Sequence, residues 1–468
     1  MIVNSALTSL VTRLIGSNSR SSIWARPILI CASIMAGGGI GFAAVVTSEL
    51  ELIVFIVMLS VLALWLVSSH ALATCVFALI LLLPFAVVPA VFPVQPSVIQ
   101  IALTLLVVRV GLIGATRVFA VWPGRFTMMA GVLLAIWLVA VLYGTGRGID
   151  VDGVQHGIKL AIGLSMFFCG PAVVINGNME INQKVIVVAG GMQSLLALWI
   201  WQAGADAISV FDALHSIGYP AANESFRYLP DEITLRSIGT LIDPNILGAC
   251  LATALTIGCG LAFRGYPTIK YGWVAIVGII ALALLSTLSR GSWLAVAAVL
   301  TYLVSMSRPR LGLALIGVGM LTVFTVPLGP LMHLKSGLMI SDIAASMRLD
   351  EYAEAIRVIN SAPWMGFGFP EYEPAAFFLG VSNASLWMSE RAGLLAGVLY
   401  TGLTIGVPLY GLARCKEARI MASAALCLSI TGIVDHHIVS VPHMLAFHFL
   451  LLGSVSFVCR GRKFASRH

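Results

Sequence analysis

The sequence has little charge: of 468 residues 10% are charged, against 59% hydrophobic. That deficit excludes a water-soluble fold of this length, whose surface would need far more ionised side chains. Metal-binding cysteine patterns are also missing. Cys31, Cys75, Cys169, Cys250, Cys259, Cys415, Cys427 and Cys459 sit in or beside apolar stretches without ligand spacing, which leaves them as inert thiols. No linker, low-complexity tract or charge block divides residues 1–468, so they read as one membrane domain. No apolar core precedes Pro27, and residues 1–26 read as a cytoplasmic tail on the membrane surface rather than a cleaved signal peptide.

What the sequence does have is apolar runs able to cross a hydrocarbon core of about 30 Å as helices. Fourteen are expected, with twelve as the lower bound, near residues 27–47, 52–68, 70–92, 98–116, 125–144, 157–176, 184–205, 244–263, 271–288, 291–306, 311–331, 392–412, 419–434 and 442–459. The fold class is therefore all-α and polytopic. Lysine and arginine fix the orientation, because basic loops stay in the cytoplasm during insertion. With the N-terminus inside, Arg13, Arg20, Arg26, Arg117, Arg125, Lys184, Arg264, Lys270, Arg308, Arg310, Arg414, Lys416, Arg419, Arg460, Arg462, Lys463 and Arg467 share one side. Glu49, Glu51, Asp150, Asp152, Asp231, Glu232, Asp350 and Glu351 fall on the other. Both termini come out cytoplasmic, and the net charge of +7 is an insertion signature rather than a nucleic-acid footprint.

Two outer segments are long, 206–243 and 332–391. Within the second, Leu349, Tyr352, Ala353, Ile356 and Ile359 recur at helical spacing with Asp350, Glu351, Glu354 and Arg357 opposite, which predicts a helix lying in the membrane interface. Ser289-Arg290-Gly291 lies between two adjoining spans on the outer side. An arginine there either snorkels to headgroups or meets an anion, for which its planar fork suits a phosphate. Arg236 opens a run through Asp243, Pro244 and Asn245 into a span, where Asp243 or Asn245 also suits a helix cap. Arg348 and Arg357 lie on the same side. Several arginines on the face that otherwise excludes basic residues point to an anionic ligand. Asp435-His436-His437 and His443, near the last pair of spans, supply groups that titrate in the useful range, although histidines at a boundary also contact headgroups or cap helices. Asp342, Glu351 and Glu390 are further proton acceptors.

Over residues 190–455 the sequence resembles the superfamily of O-antigen ligases and polysaccharide polymerases. Four ordered blocks carry the resemblance: Arg236, Gly239, Pro244 and Asn245; Ser289-Arg290-Gly291; Arg348 followed by Pro363, Gly366 and Gly368; and Asn383, Leu386, Glu390 and Gly393. The resemblance implies a GT-C-like, metal-independent, inverting glycosyltransferase of the bacterial inner membrane, acting at the periplasmic face without a cofactor. Its donor would be a polyprenyl-diphosphate-linked glycan and its acceptor another such glycan or lipid A core, with a flippase and a chain-length regulator as partners beside membrane lipids. By position Arg236, Arg290 and Arg348 would carry catalysis by holding the diphosphate, together with His436 and Asp435; Arg357, Asp243, Asn245, Ser289, Asn383 and Glu390 would contact substrate. Ser382 stands where many ligases have a histidine, and a serine hydroxyl is no comparable base, which favours polymerisation over ligation. A transporter of a lipid-linked anion would also want outward arginines, but ion-coupled carriers place acids at mid-membrane and these spans have few.

Overall fold

The computed structural model describes residues 49–87, 96–117, 124–145, 151–174, 179–221, 226–228, 235–264, 267–325, 335, 343–369 and 381–465. The expected tail and first span, and Asp342, lie outside these residues. The described residues form helices and no strand, with isolated bridges at Val87–Ser97 and Tyr228–Leu235. Among the described residues six helices are long and apolar enough to cross a membrane, and seven shorter apolar helices accompany them. Each falls on one of the expected spans. The third stops early, at Leu82 rather than near residue 92.

The helices that position the site are α1 Glu49–Val67, α2 Ser69–Leu82, α3 Val98–Arg117, α4 Arg125–Thr145, α5 Val151–Ser165, α6 Met179–Ala203, α7 Ile208–His215, α8 Pro244–Arg264, α9 Pro267–Ser286, α10 Arg290–Ser307, α11 Pro309–Thr325, α12 Ile343–Ser361, α13 Ala384–Ala392, α14 Leu394–Arg414, α15 Arg419–Val434, α16 His437–Ser440 and α17 Pro442–Ala465. The interior is built on α8 and α17. Helix α8 packs on α6, α9, α10 and α15, while α17 packs on α5, α14, α15 and the 166–174 segment. Because lipid gives helices no hydrophobic reason to associate, small residues and polar contacts hold such bundles. A Cβ on Gly170 would sit 2.1 Å from the Gly453 carbonyl carbon, so the 166–174 segment and α17 meet backbone to backbone. Ser429 ties α15 to its neighbours, donating to the Thr404 carbonyl at 2.5 Å and lying 3.1 Å from His448 Nε2.

Helix α12 contains the stretch expected to be an interfacial helix. The helix forms, but it packs through Ala355, Val358 and Ile359, with Glu351 and Tyr352 partly buried beside them. Leu349 and Ile356, on the apolar face of the expected interfacial helix, are 50% and 52% exposed. The helix has two apolar flanks, and the one bearing Glu351 wins because that carboxylate finds a backbone donor: its Oε2 accepts from Ser382 N at 3.0 Å. The exposed flank suits the lipid interface.

Candidate active site

The site is assembled where the joint before α8, the α9–α10 turn, α12 and the α15–α16 joint come together. The first joint is anchored from below by Gln193 of α6. Its side-chain amide donates to the Leu81 carbonyl at 2.6 Å and to the Thr240 hydroxyl, while its oxygen accepts from Thr240 N at 3.3 Å. Gly239, at φ 57°, lies so close that a Cβ would meet Gln193 Oε1 at 2.5 Å. The chain then passes through Ile242 at φ 64°, a rare conformation for a β-branched residue, and this turn aims Asp243. Asp243 Oδ1 caps α8, accepting from Asn245 N at 2.7 Å and Ile246 N at 3.1 Å.

Arg236 docks this joint onto the next. Its Nε donates to the Thr287 carbonyl at 2.9 Å and an Nη to Asn245 Oδ1 at 2.8 Å, while Ser237 N reaches the Ser286 carbonyl at 3.1 Å. Just beyond, Leu288 takes φ 51° before Ser289, and Arg290 opens α10. Gly291 is required here because a Cβ would meet Val434 Cγ2 at 2.4 Å, so α10 begins in direct contact with the end of α15.

The charges of Arg290 and Arg348 are felt at Arg236, which puts the three in one neighbourhood. Burial pulls the Arg236 guanidinium below its ordinary pKa; Asp243 and Asp435 oppose that shift, and the positive charges of Arg290 and Arg348 add to it. The Tyr352 phenol is pushed up by burial and by Glu351 and Asp435, with Arg348 pulling the other way. One constellation thus contains Arg236, Arg290, Arg348, Asp243, Asp435, Glu351 and Tyr352. Its carboxylates are held in place by backbone: Asp435 Oδ1 accepts from His437 N at 2.9 Å, as Asp243 and Glu351 accept from theirs.

His437 faces two of the acids. Its Nε2 lies 3.8 Å from Asp243 Oδ2 and 3.8 Å from Asp435 Oδ1. His436 lies beside it at 4.6 Å between ring centroids, the rings tilted by 44°, and its Nδ1 is buried without a hydrogen-bond partner among the described residues. Burial and the neighbouring His437 hold the His436 imidazole below the usual histidine range, and Asp435 and Asp243 offset part of that. Ligand atoms of Asp435, His436 and His437 all lie within 4.8 Å of one another, so these residues are the place where a metal ion would be held. The nearby Arg236 guanidinium opposes a dication there.

The other expected residues take different places. Arg357 does not join the cluster: nine residues beyond Arg348, it lies on the opposite side of α12, 78% exposed, paired with Glu354 at 2.5 and 2.9 Å. Asn383 caps α13, its Oδ1 accepting from Ser385 N at 2.9 Å and Leu386 N at 3.0 Å. Ser289 is buried, 3.1 Å from the Ser292 hydroxyl. Glu390 is buried in a clasp: Phe367 N and Gly368 N donate to the Glu390 and Arg391 carbonyls at 2.8 Å, and Leu394 N donates to Pro363 O at 2.8 Å. The glycines of the third and fourth blocks make this clasp possible, since a Cβ on Gly366 would lie 2.5 Å from the Arg391 carbonyl carbon. Ser382 is bracketed through its backbone, by Glu351 at N–H and by the Tyr352 hydroxyl at C=O, 3.0 Å each.

Residues 275–401 match the family model described as O-antigen ligase. Over that stretch, a minority of the chain, the sequence is similar to the O-antigen ligase family. The match takes in the second, third and fourth blocks and the whole of α12 and α13, and it lies inside the region in which the sequence resembles the superfamily. No curated protein matches the chain. The matched stretch lies within a chain whose described residues include several helices apolar enough to cross a membrane. Gln193 and Tyr352 are the residues here to which the sequence reading gave no role in the site, and His437 entered it only within the Asp435-His436-His437 run. An amide inside an apolar span was the available signal at Gln193.

Proposed function

We propose that the protein polymerises polyprenyl-diphosphate-linked oligosaccharide repeat units at the periplasmic face of the inner membrane, with both termini cytoplasmic, residues 206–243 and 332–391 as outer loops, and residues 1–468 as one membrane domain. The supporting observation is the convergence of Arg236, Arg290 and Arg348 beside His437, Asp243 and Asp435. An acceptor hydroxyl attacks the anomeric carbon as the bond to the diphosphate oxygen breaks, inverting that carbon. The diphosphate leaves with the bonding pair, and its growing charge meets three preorganised guanidinium groups, which do the work a divalent ion does elsewhere. The hydroxyl proton passes to His437, whose new charge is balanced by the two aspartates. His437 thereby takes the part that a histidine at Ser382 would play, and Asn245 and Ser289 act through the arginines they hold or adjoin.

Purified protein given a lipid-linked oligosaccharide should release polyprenyl diphosphate and lengthen the glycan. Arg290→Ala and Arg348→Ala should each lose at least about a hundredfold in rate, the scale of one removed electrostatic donor. Full activity in both variants refutes the site. The O-antigen ligase description of the matched family favours a second reading, transfer of finished glycan to lipid A core. It is the correct one if lipid A core is consumed and glycan length does not grow.

A further inference from the structure

A cavity of about 400 Å³ is reached along α16. His437 begins that helix at the arginine cluster, and Ser440, which ends it, lines the cavity. The heads of two long helices converge there. Ser97 and Gln100 form a reciprocal capping box at the start of α3, with bonds of 3.2 and 3.3 Å, and Pro442 and His443 open α17. Both helix ends present the positive pole of the backbone dipole. His443 is only 5% exposed, packs edge-on against Phe85 at 5.2 Å, and has an Nε2 with no hydrogen-bond partner among the described residues. Lys159 lies on the same wall, one turn beyond His156, within a helix apolar enough to span the membrane. An ammonium in such a helix is costly unless an anion or water meets it. No carboxylate lines the cavity, and Ile99, Leu103, Ile162 and Val441 make up much of the remaining wall.

Two positive helix ends, one lysine, an unpartnered buried imidazole and an apolar flank fit an anion attached to a hydrocarbon chain. We infer that this cavity holds the phosphate headgroup of a membrane lipid, with Lys159 and His443 on the phosphate and the chain running along Ile99, Leu103 and Ile162. A single fixed cation suits one phosphate, where the arginine cluster suits two. The phosphate comes either from a bilayer phospholipid or from the lipid carrier of the acceptor glycan. Only the second source rests on the polymerase reading.

The test is native mass spectrometry of the full-length protein, titrated separately with phosphatidylglycerol and with a polyprenyl monophosphate, with inorganic phosphate as competitor. One lipid should be retained per chain. Lys159→Gln should weaken its binding about tenfold, Lys159→Arg should restore it to within about threefold, and Arg290→Ala should leave it unchanged. Leu103→Trp, which fills the apolar flank without touching charge, should also weaken it. Tighter binding of the polyprenyl monophosphate assigns the site to the acceptor's carrier, and tighter binding of phosphatidylglycerol assigns it to the bilayer. Unchanged binding in Lys159→Gln, equal loss in Arg290→Ala, or displacement by equimolar inorganic phosphate overturns the proposal. If the lipid binds as expected and no glycan is transferred, the polymerase reading fails and the lipid site stands.

Discussion

Replacing Asp243 and Asp435 by asparagine tests whether the charge around His437 contributes to the reaction. Asparagine keeps the oxygen that caps α8 and the one that holds His437 N, so the fold is retained and only the charge is lost. At 3.8 Å each carboxylate would attract a full positive charge on His437 by about 4 kcal/mol at an effective dielectric of ~20 and about 1 kcal/mol in water. His437 and Asp243 are 28% and 27% exposed, which places the pair between those limits. With about half the proton transferred in the transition state, each carboxylate contributes on the order of 1.4 kcal/mol, or roughly tenfold in rate. Asp243→Asn and Asp435→Asn should therefore each slow glycan extension about tenfold, and the double substitution about a hundredfold. His437→Ala should cost between about a hundredfold and ten-thousandfold, as for the loss of a general base. The decisive measurement is the cycle: in a His437→Ala background the aspartate substitutions should cost less than about twofold. Equal losses with and without His437 would show that the aspartates act elsewhere, and His437 would cease to be the base.

Gly393→Ala should lower the melting temperature sharply and destabilise by about 3 kcal/mol or more, because φ is 87° and the new Cβ would meet the Trp364 carbonyl oxygen at 2.3 Å; an unchanged melt in detergent would refute the clasp. His436 carries a pKa below that of the unfolded chain, so unfolded protein binds more protons as pH falls below about 6.5 and stability should decline there. Melting curves at pH 7.5 and 5 should show a smaller drop for His436→Gln than for the wild type. EDTA dialysis should leave the extension rate unchanged, and restoration by added Mg²⁺ or Zn²⁺ after a loss would assign Asp435, His436 and His437 to a metal ion instead.

The spans were legible because apolar runs and lipid thickness leave few alternatives, and the arginine cluster because basic residues on the outer side break the insertion pattern. Arg236, Arg290 and Arg348 share that side with Arg227, Arg357 and Arg391, so it was their place in the ordered blocks that marked them out. Arg357 could not be told from them by side, since only the helix register shows that it turns the other way. The packed face of α12 was hidden for a different reason: lipid is as apolar as protein, so Leu349 and Ile356 look like core residues while facing outward. Asn383 and Asp243 double as helix caps, a role sequence allows but cannot assign. The choice of His437 over His436 depends on one short turn after Asp435, below the resolution of any periodicity.

Among the described non-glycine residues Ile242 and Leu288 are left-handed, and each stands just ahead of a residue of the proposed site, in joints that lead into different helices. A helix advances by about 100° for every residue, so inserting or deleting one position in either joint would swing the following helix's side chains off target. The lengths of these joints are thus a molecular gauge.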